Sequence, residues 1–361
     1  MINLDIARRR LYNQHIASTL FEKPVDIVSW LGAVQAQDYT GALWALGLRM
    51  RQATVKDIEQ AIADKSIVRL WFMRGTLHFV PGADLRWMLQ IMAPRMRKLL
   101  DHALNYLKLA LDEDSLTRSN EVLVRTLQGG RQLTREELAV ALEEAGISAQ
   151  GLQRSFLIQR AQTDGLLCYA APRGKQATFA LLDEWVPSTR LLTRDEALAE
   201  FARRYFVSHG PATLQDFVWW SGLTTSEAKT GLEMVKSVLL CERIDEQMYW
   251  FAPVSLPAPG DGVSAYLLPN YDEYMVGYTD RSAIFDGAYT EQLDSRARGG
   301  ILANTIVVNG QIVGTWTRVL RKNSLTIEPH LVLPLQQAES QAVAEAAQRY
   351  GAFLDQSVSI S

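Results

Sequence analysis

Two cysteines in 361 residues exclude a disulfide-stapled scaffold and point to a reducing, cytosolic setting. Five histidines (His15, His78, His102, His209 and His330) share no zinc-ligand spacing with those cysteines, so no metal is expected. No apolar run approaches the ~18 residues that a bilayer-spanning helix needs. The stretch from Met1 to His15 lacks the apolar core of a signal peptide, so a cytoplasmic protein away from the membrane is expected. Missing too are a Gly-x-x-x-x-Gly-Lys-Ser/Thr phosphate loop, a Gly-x-Ser-x-Gly elbow and a Gly-x-Gly-x-x-Gly run after a strand. The commonest nucleotide-binding and serine-hydrolase sites are thereby set aside.

What is present is ample core: 48% of residues are apolar and 21% charged, over a length that suits more than one domain. The net charge of −3 speaks against a polyanion partner only as an average. Residues 1–110 hold 15 Lys and Arg against 9 Asp and Glu, whereas the remainder holds 22 against 31. Binding follows the local field, so the basic end is where an anionic partner is expected.

The first ~255 residues alternate helices with short strand-like runs. Thr134 with Glu137, Thr193 with Glu196 and Thr224 with Glu227 each read as a capping box that opens a helix, and Gly146 closes the first of them. One order of elements recurs. Helices at Thr134–Ala145 and Gln150–Thr163 precede strands at Leu166–Tyr169 and Thr178–Leu182, around a tip at Pro172–Lys175. A second copy has helices at Thr213–Ser221 and Thr224–Val235, then Leu239–Cys241, a tip at Asp245–Gln247 and Met248–Phe251. A looser first copy has helices near Val25–Val34 and Val55–Ala63, then Ile67–Phe72, a turn at Met73-Arg74-Gly75 and Thr76–Val80.

Helix, helix and two-stranded hairpin is the winged helix-turn-helix plan. Cys168 and Cys241 take the same place in their copies and read as small buried core residues. After Pro253 the texture changes: Pro257, Pro259, Gly260 and Gly262 mark a linker. Short strands follow at Ser264–Leu268, Thr305–Val308 and Ile312–Thr317, with a hairpin turn at Asn309-Gly310 and an amphipathic helix at Leu335–Leu354. The fold class expected is α+β, mainly α. Tandem winged-helix modules at 1–110, 111–190 and 191–255 precede a small β-rich domain at 256–361.

Three segments carry candidate chemistry. In Val34-Gln35-Ala36-Gln37-Asp38-Tyr39, two glutamines flank one small residue. On a regular helix such a pair diverges by about 200°, so convergence on one ligand needs extended or irregular backbone, which Gly32 and Gly41 would permit. The other reading is a pair of solvated helix-end glutamines. In Arg69–Val80, strand alternation puts Arg74, Thr76 and His78 on one side, with Arg69 nearby. That stripe suits phosphates or base edges, or is a solvated edge strand. The third segment, Leu267–Tyr274 with Gly277–Arg281, mixes carboxylates, aromatics and an arginine; Asp280-Arg281 reads as a structural ion pair.

Gln35-Ala36-Gln37-Asp38, Arg74-Gly75-Thr76-Leu77-His78, Leu268-Pro269 with Asp272, Asp280-Arg281 and Val313-Gly314-Thr315-Trp316 together resemble the AlkZ-like/YcaQ family of bacterial winged-helix DNA glycosylases. The resemblance spans nearly the whole chain in order. It implies three tandem winged-helix units with a β-rich C-terminal domain, and a catalytic Gln-apolar-Gln motif of the AlkZ-type branch at Gln35 and Gln37. It further implies an enzyme that acts on double-stranded DNA carrying alkylated bases of the N7-alkylguanine type, with unhooking of interstrand crosslinks included, without metal or cofactor; the three copies in one chain favour a monomer. Asp38 is a candidate for catalytic support, while Arg69, Arg74, Thr76 and His78 would grip DNA. Two alternatives compete. One is a winged-helix transcription regulator reading DNA through Gln153, Arg154, Gln159 and Arg160; the other is a hydrolase using Asp272 and Asp280.

Overall fold

The computed structural model describes residues 3–109, 111–186, 191–254, 256, 262–289, 303–321 and 324–361. Pro257, Pro259 and Gly260 of the expected linker lie outside them, as do Ala110, Arg190 and Ser255 at the expected module boundaries. The chain divides into two compact units, residues 1–58 with 199–361 and the inserted residues 59–198.

The first unit opens with helices α1 (Asn3–Asn13) and α2 (Pro24–Leu31), strand β1 (Val34–Gln35), α3 (Tyr39–Arg49) and α4 (Val55–Ala63). The insert contains β2 (Ile67–Trp71), β3 (Leu77–Pro81), α5 (Leu85–Tyr106), α6 (Glu113–Leu127), β4 (Leu133–Thr134) and α7 (Arg135–Glu144). It continues through α8 (Gly151–Thr163), β5 (Leu167–Tyr169), β6 (Thr178–Leu181) and α9 (Leu182–Trp185), and leaves along α10 (Arg194–His209). Back in the first unit come α11 (Leu214–Ser221), α12 (Thr225–Val235), β7 (Leu240–Ile244), β8 (Gln247–Phe251), β9 (Ala265–Leu268) and α13 (Glu273–Val276). Strands β10 (Thr305–Val308), β11 (Gln311–Leu320) and β12 (Ser324–Leu331), helix α14 (Gln337–Leu354) and β13 (Ser357–Ile360) complete it.

The protein is α+β and mainly helical, as expected, with a C-terminal half-barrel sheet in the order β13-β12-β11-β10-β9. Its ladders are antiparallel except β12–β13. Asn309 and Gly310, with φ of +50° and +85°, make the tight β10–β11 turn. Indole N–H groups pin β9: Trp44 donates to the Leu267 carbonyl at 2.7 Å and Trp316 to the Leu268 carbonyl at 3.0 Å. Gly47 of α3 lies so close to α14 that a β-carbon would sit 2.5 Å from the Phe353 ring.

In the insert the strands run β3-β2-β5-β6-β4. Leu123, Leu138, Leu157 and Phe179 are its fully buried centre. The reciprocal capping boxes of Thr134 with Glu137 and Thr224 with Glu227 are formed. The two cysteines part company. Cys168 is enclosed on β5, whereas Cys241 is exposed on β7. The reason is that β7 and β8 form a two-stranded sheet of their own, which leaves most of β7 open to solvent. Among the described residues no helix is long and apolar enough to cross a membrane.

Candidate active site

The Gln35–Gln37 segment is a helix-to-helix passage. Pro24 opens α2, where a missing N–H costs nothing. Gly32 ends it with φ +85°, a conformation that disfavours side chains, beneath Trp220 and Phe201. From Ala33 to Asp38 the backbone is not helical, so it supplies the irregular geometry that two glutamines at i and i+2 require. Gln35 is 9% exposed, Ala36 is buried and Gln37 is exposed.

Asp38 ends the passage as the N-cap of α3, its Oδ1 accepting the Gly41 N–H at 3.2 Å. Gly41 therefore lies within a helix and is not a hinge. Its role is close approach: a β-carbon there would meet Asn270 Oδ1 at 2.7 Å and Asp38 Oδ2 at 3.0 Å. Arg318, lowered from the usual guanidinium range by burial, is partly restored by the charge of Asp38.

Behind the passage lies a polar cluster built on Glu273 and Asp272 of the third candidate segment. Glu273, fully enclosed at the start of α13, accepts the Gln35 backbone N–H on Oε1 at 3.0 Å and the Trp220 indole N–H on Oε2 at 2.7 Å. His209 Nε2 lies 3.3 Å from the same Oε2. Burial lowers the His209 imidazole from its usual value, against the upward pull of Glu273. The adjacent Asp272 caps α13 at the Tyr274 N–H and holds Arg49 through two contacts of 2.8 Å, all in the buried interior. Arg49 also donates to the Gln14 side chain at 3.0 Å. An aspartate so engaged is structural, which removes Asp272 as a hydrolytic group. Asp280 caps the Ser282 N–H, and Arg281 turns to the Met275 carbonyl at 2.8 Å.

The inserted unit carries the β2–β3 hairpin. Arg74 and Gly75 occupy its turn with φ of +53° and +73°, so Arg74 is a non-glycine residue in the left-handed region. Thr76 closes the turn, its N–H and hydroxyl both reaching the Met73 carbonyl. His78 is fully buried, with Nε2 3.5 Å from Arg74 Nη2 and Nδ1 3.2 Å from the Thr76 carbonyl. Arg69 stacks on the Tyr169 ring at 4.9 Å. At the hairpin's foot lies a cleft of about 450 Å³ lined by Trp71, Arg74, Leu99, Leu152, Phe156 and Gln159. On α8, Gln153 bonds Ser148, while Arg154 faces Glu136 and Arg160 is held by Asp164 and Glu113.

The profile of the family described as "DNA glycosylase AlkZ-like" matches residues 28–353, which takes in the glutamine passage, the hairpin and the half-barrel. The chain belongs to the AlkZ-like DNA glycosylase family. Membership implies hydrolase activity with DNA as the substrate. Among relatives, the AlkZ-like chain is similar to the "Interstrand DNA cross-link repair glycosylase" of Streptomyces sahachiroi, at 26% identity over 366 residues and 92% of each protein. The solved structure "Streptomyces sahachiroi DNA glycosylase AlkZ" shares its fold, with a TM-score of 0.80 over 99% of each chain at 20% identity.

Proposed function

We propose that this protein excises N7-alkylguanine-type bases from double-stranded DNA, crosslinked guanines included, with Gln35 and Gln37 as catalytic residues. The similarity to an interstrand DNA cross-link repair glycosylase supports the crosslink part of the reading. The observation that carries the chemistry is the passage itself: two glutamines on non-helical backbone, Gln37 open to solvent and Gln35 nearly enclosed.

N7-alkylated guanine is already cationic, so its base leaves with the C1′–N9 electron pair and needs little protonation. The burden falls on the electron-poor sugar that remains. Amide carbonyl oxygens aimed there carry partial negative charge and accept hydrogen bonds from the attacking water. The water oxygen joins C1′ and its proton passes to solvent. Asp38 is the nearest carboxylate in sequence and lends charge while capping α3.

In this reading Arg74 and Arg69 hold phosphates, Thr76 shapes the turn, and His78 steadies Arg74 from behind. The enzyme is a monomer of three winged-helix modules (1–110, 111–190, 191–255) and a β-rich domain (256–361). The regulator reading loses ground because Gln153, Arg154 and Arg160 on α8 are engaged by neighbours.

Duplexes bearing N7-methylguanine or a nitrogen-mustard crosslink, treated with hot alkali after incubation, report base release as strand breaks. Gln35→Ala and Gln37→Ala are each expected to slow release by about 10²-fold while DNA affinity holds. Unchanged release in the double variant ends the proposal.

A further inference from the structure

Glu273 is an expensive residue to enclose. A carboxylate removed from water must regain its lost hydration from fixed donors. Its neighbour Asp272 does so through the Arg49 guanidinium. Glu273 instead meets a backbone N–H, an indole N–H and an imidazole. Each donor is itself fixed. Ser208 Oγ lies 2.8 Å from His209 Nδ1, and the imidazole stacks on Tyr205 at 4.7 Å. The Trp220 ring lies 4.9 Å from Tyr205 and 5.0 Å from Phe201. Constraint therefore runs from α10 and α11 through one carboxylate to the main chain of Gln35, across 238 positions of sequence.

We propose that Glu273 is a positioning residue for base release: by accepting the Gln35 backbone N–H it sets the level and direction of the Gln35–Gln37 passage, and so where both amides point. The inference rests on the role proposed above for those glutamines. Gln35 is tethered through its main-chain N–H. A misplacement of about 1 Å at such a site costs on the order of 10²-fold in rate. Glutamine at 273 keeps the volume, yet its one carbonyl oxygen cannot serve both Gln35 and Trp220; its NH₂ must face one of those N–H donors.

The test combines Glu273→Gln, Gln35→Ala/Gln37→Ala and all three changes together, on N7-methylguanine and crosslinked duplexes under single-turnover conditions. Glu273→Gln is expected to slow release by about 10-fold or more with the DNA Kd unchanged, and to add nothing once both glutamines are gone. Hydrogen exchange supplies a readout that needs no activity: the peptide covering 33–38 exchanges faster in Glu273→Gln, while peptides of α5 and α8 keep their protection. If Glu273→Gln lowers the melting point below the assay temperature, Trp220→Phe replaces it, with the same pattern at smaller size.

Normal release by Glu273→Gln, slowing that persists without the glutamines, or unchanged exchange at 33–38 overturns the positioning role and leaves the catalytic pair standing. Unchanged release by the glutamine double variant overturns both. Those two results are distinct.

Discussion

His209 and His15 illustrate how single buried groups tie this fold to pH. Burial is the largest influence on each and holds both below the ordinary imidazole value of 6.5. In the unfolded chain they titrate near 6.5; in the folded chain they take up protons only at lower pH. Between those points the unfolded state binds more protons. Their contribution to stability is thus complete above 6.5 and is lost as pH falls through the window beneath it. Urea midpoints measured from pH 7.5 to 5 are expected to decline, with a shallower decline in His209→Gln. An unchanged slope would mean that His209 binds as many protons folded as unfolded across that range. At this scale the sequence was unevenly legible. Two glutamines flanking alanine could be singled out because helix geometry forbids them a shared face. Glu273 could not, since the letters Asp272-Glu273-Tyr274 look the same whether solvated or enclosed. Asp38, expected as a catalytic helper, is seen capping α3, a role that Asp before a helix often takes.

Elements with strong local signals came through with little loss. Helix α4 and strand β10 fall where periodicity and turn residues place them. The polar stripe of the β2–β3 hairpin is different: His78 is enclosed against Arg74, because the strand buries both of its faces. Strand β12 escaped notice for a physical reason. Its Pro329 cannot donate to a ladder, yet β13 pairs only with Ser324–Ile327, so Pro329 stands where β12 is an edge. Arg74 offers a prediction at this level. The left-handed conformation costs a non-glycine residue about 1–2 kcal/mol, whereas glycine loses about 0.5–1 kcal/mol more entropy on ordering. Arg74→Gly is therefore expected to keep stability within about 1 kcal/mol and to weaken DNA binding across sequences, reducing the steepness of its salt dependence by about one charge. Thermal melts with fluorescence titrations at several salt concentrations check both parts.

Across the whole chain, net charge and local charge point in opposite directions. A protein of charge −3 would be repelled by DNA if charge acted as a sum, but the first 110 residues carry a surplus of Lys and Arg. Logarithmic DNA affinity is expected to fall linearly with logarithmic salt, at a slope set by the phosphates contacted. Titration from 50 to 200 mM NaCl measures it, and a flat response would refute a phosphate-gripping surface. The sequence read the succession of helices and hairpins well. It could not read that residues 59–198 form a unit inserted within another, since that depends on which distant segments pair.

The insertion also has a consequence for biogenesis. As the ribosome delivers the chain, the inserted unit is complete once residue 198 has emerged, whereas the glutamine passage must wait for the C-terminal third that braces it. Prematurely terminated polypeptides ending before residue 273 would carry both glutamines without their brace. On the roles proposed for Glu273 and the two glutamines, nascent chains are expected to release no base until residue 273 has been delivered.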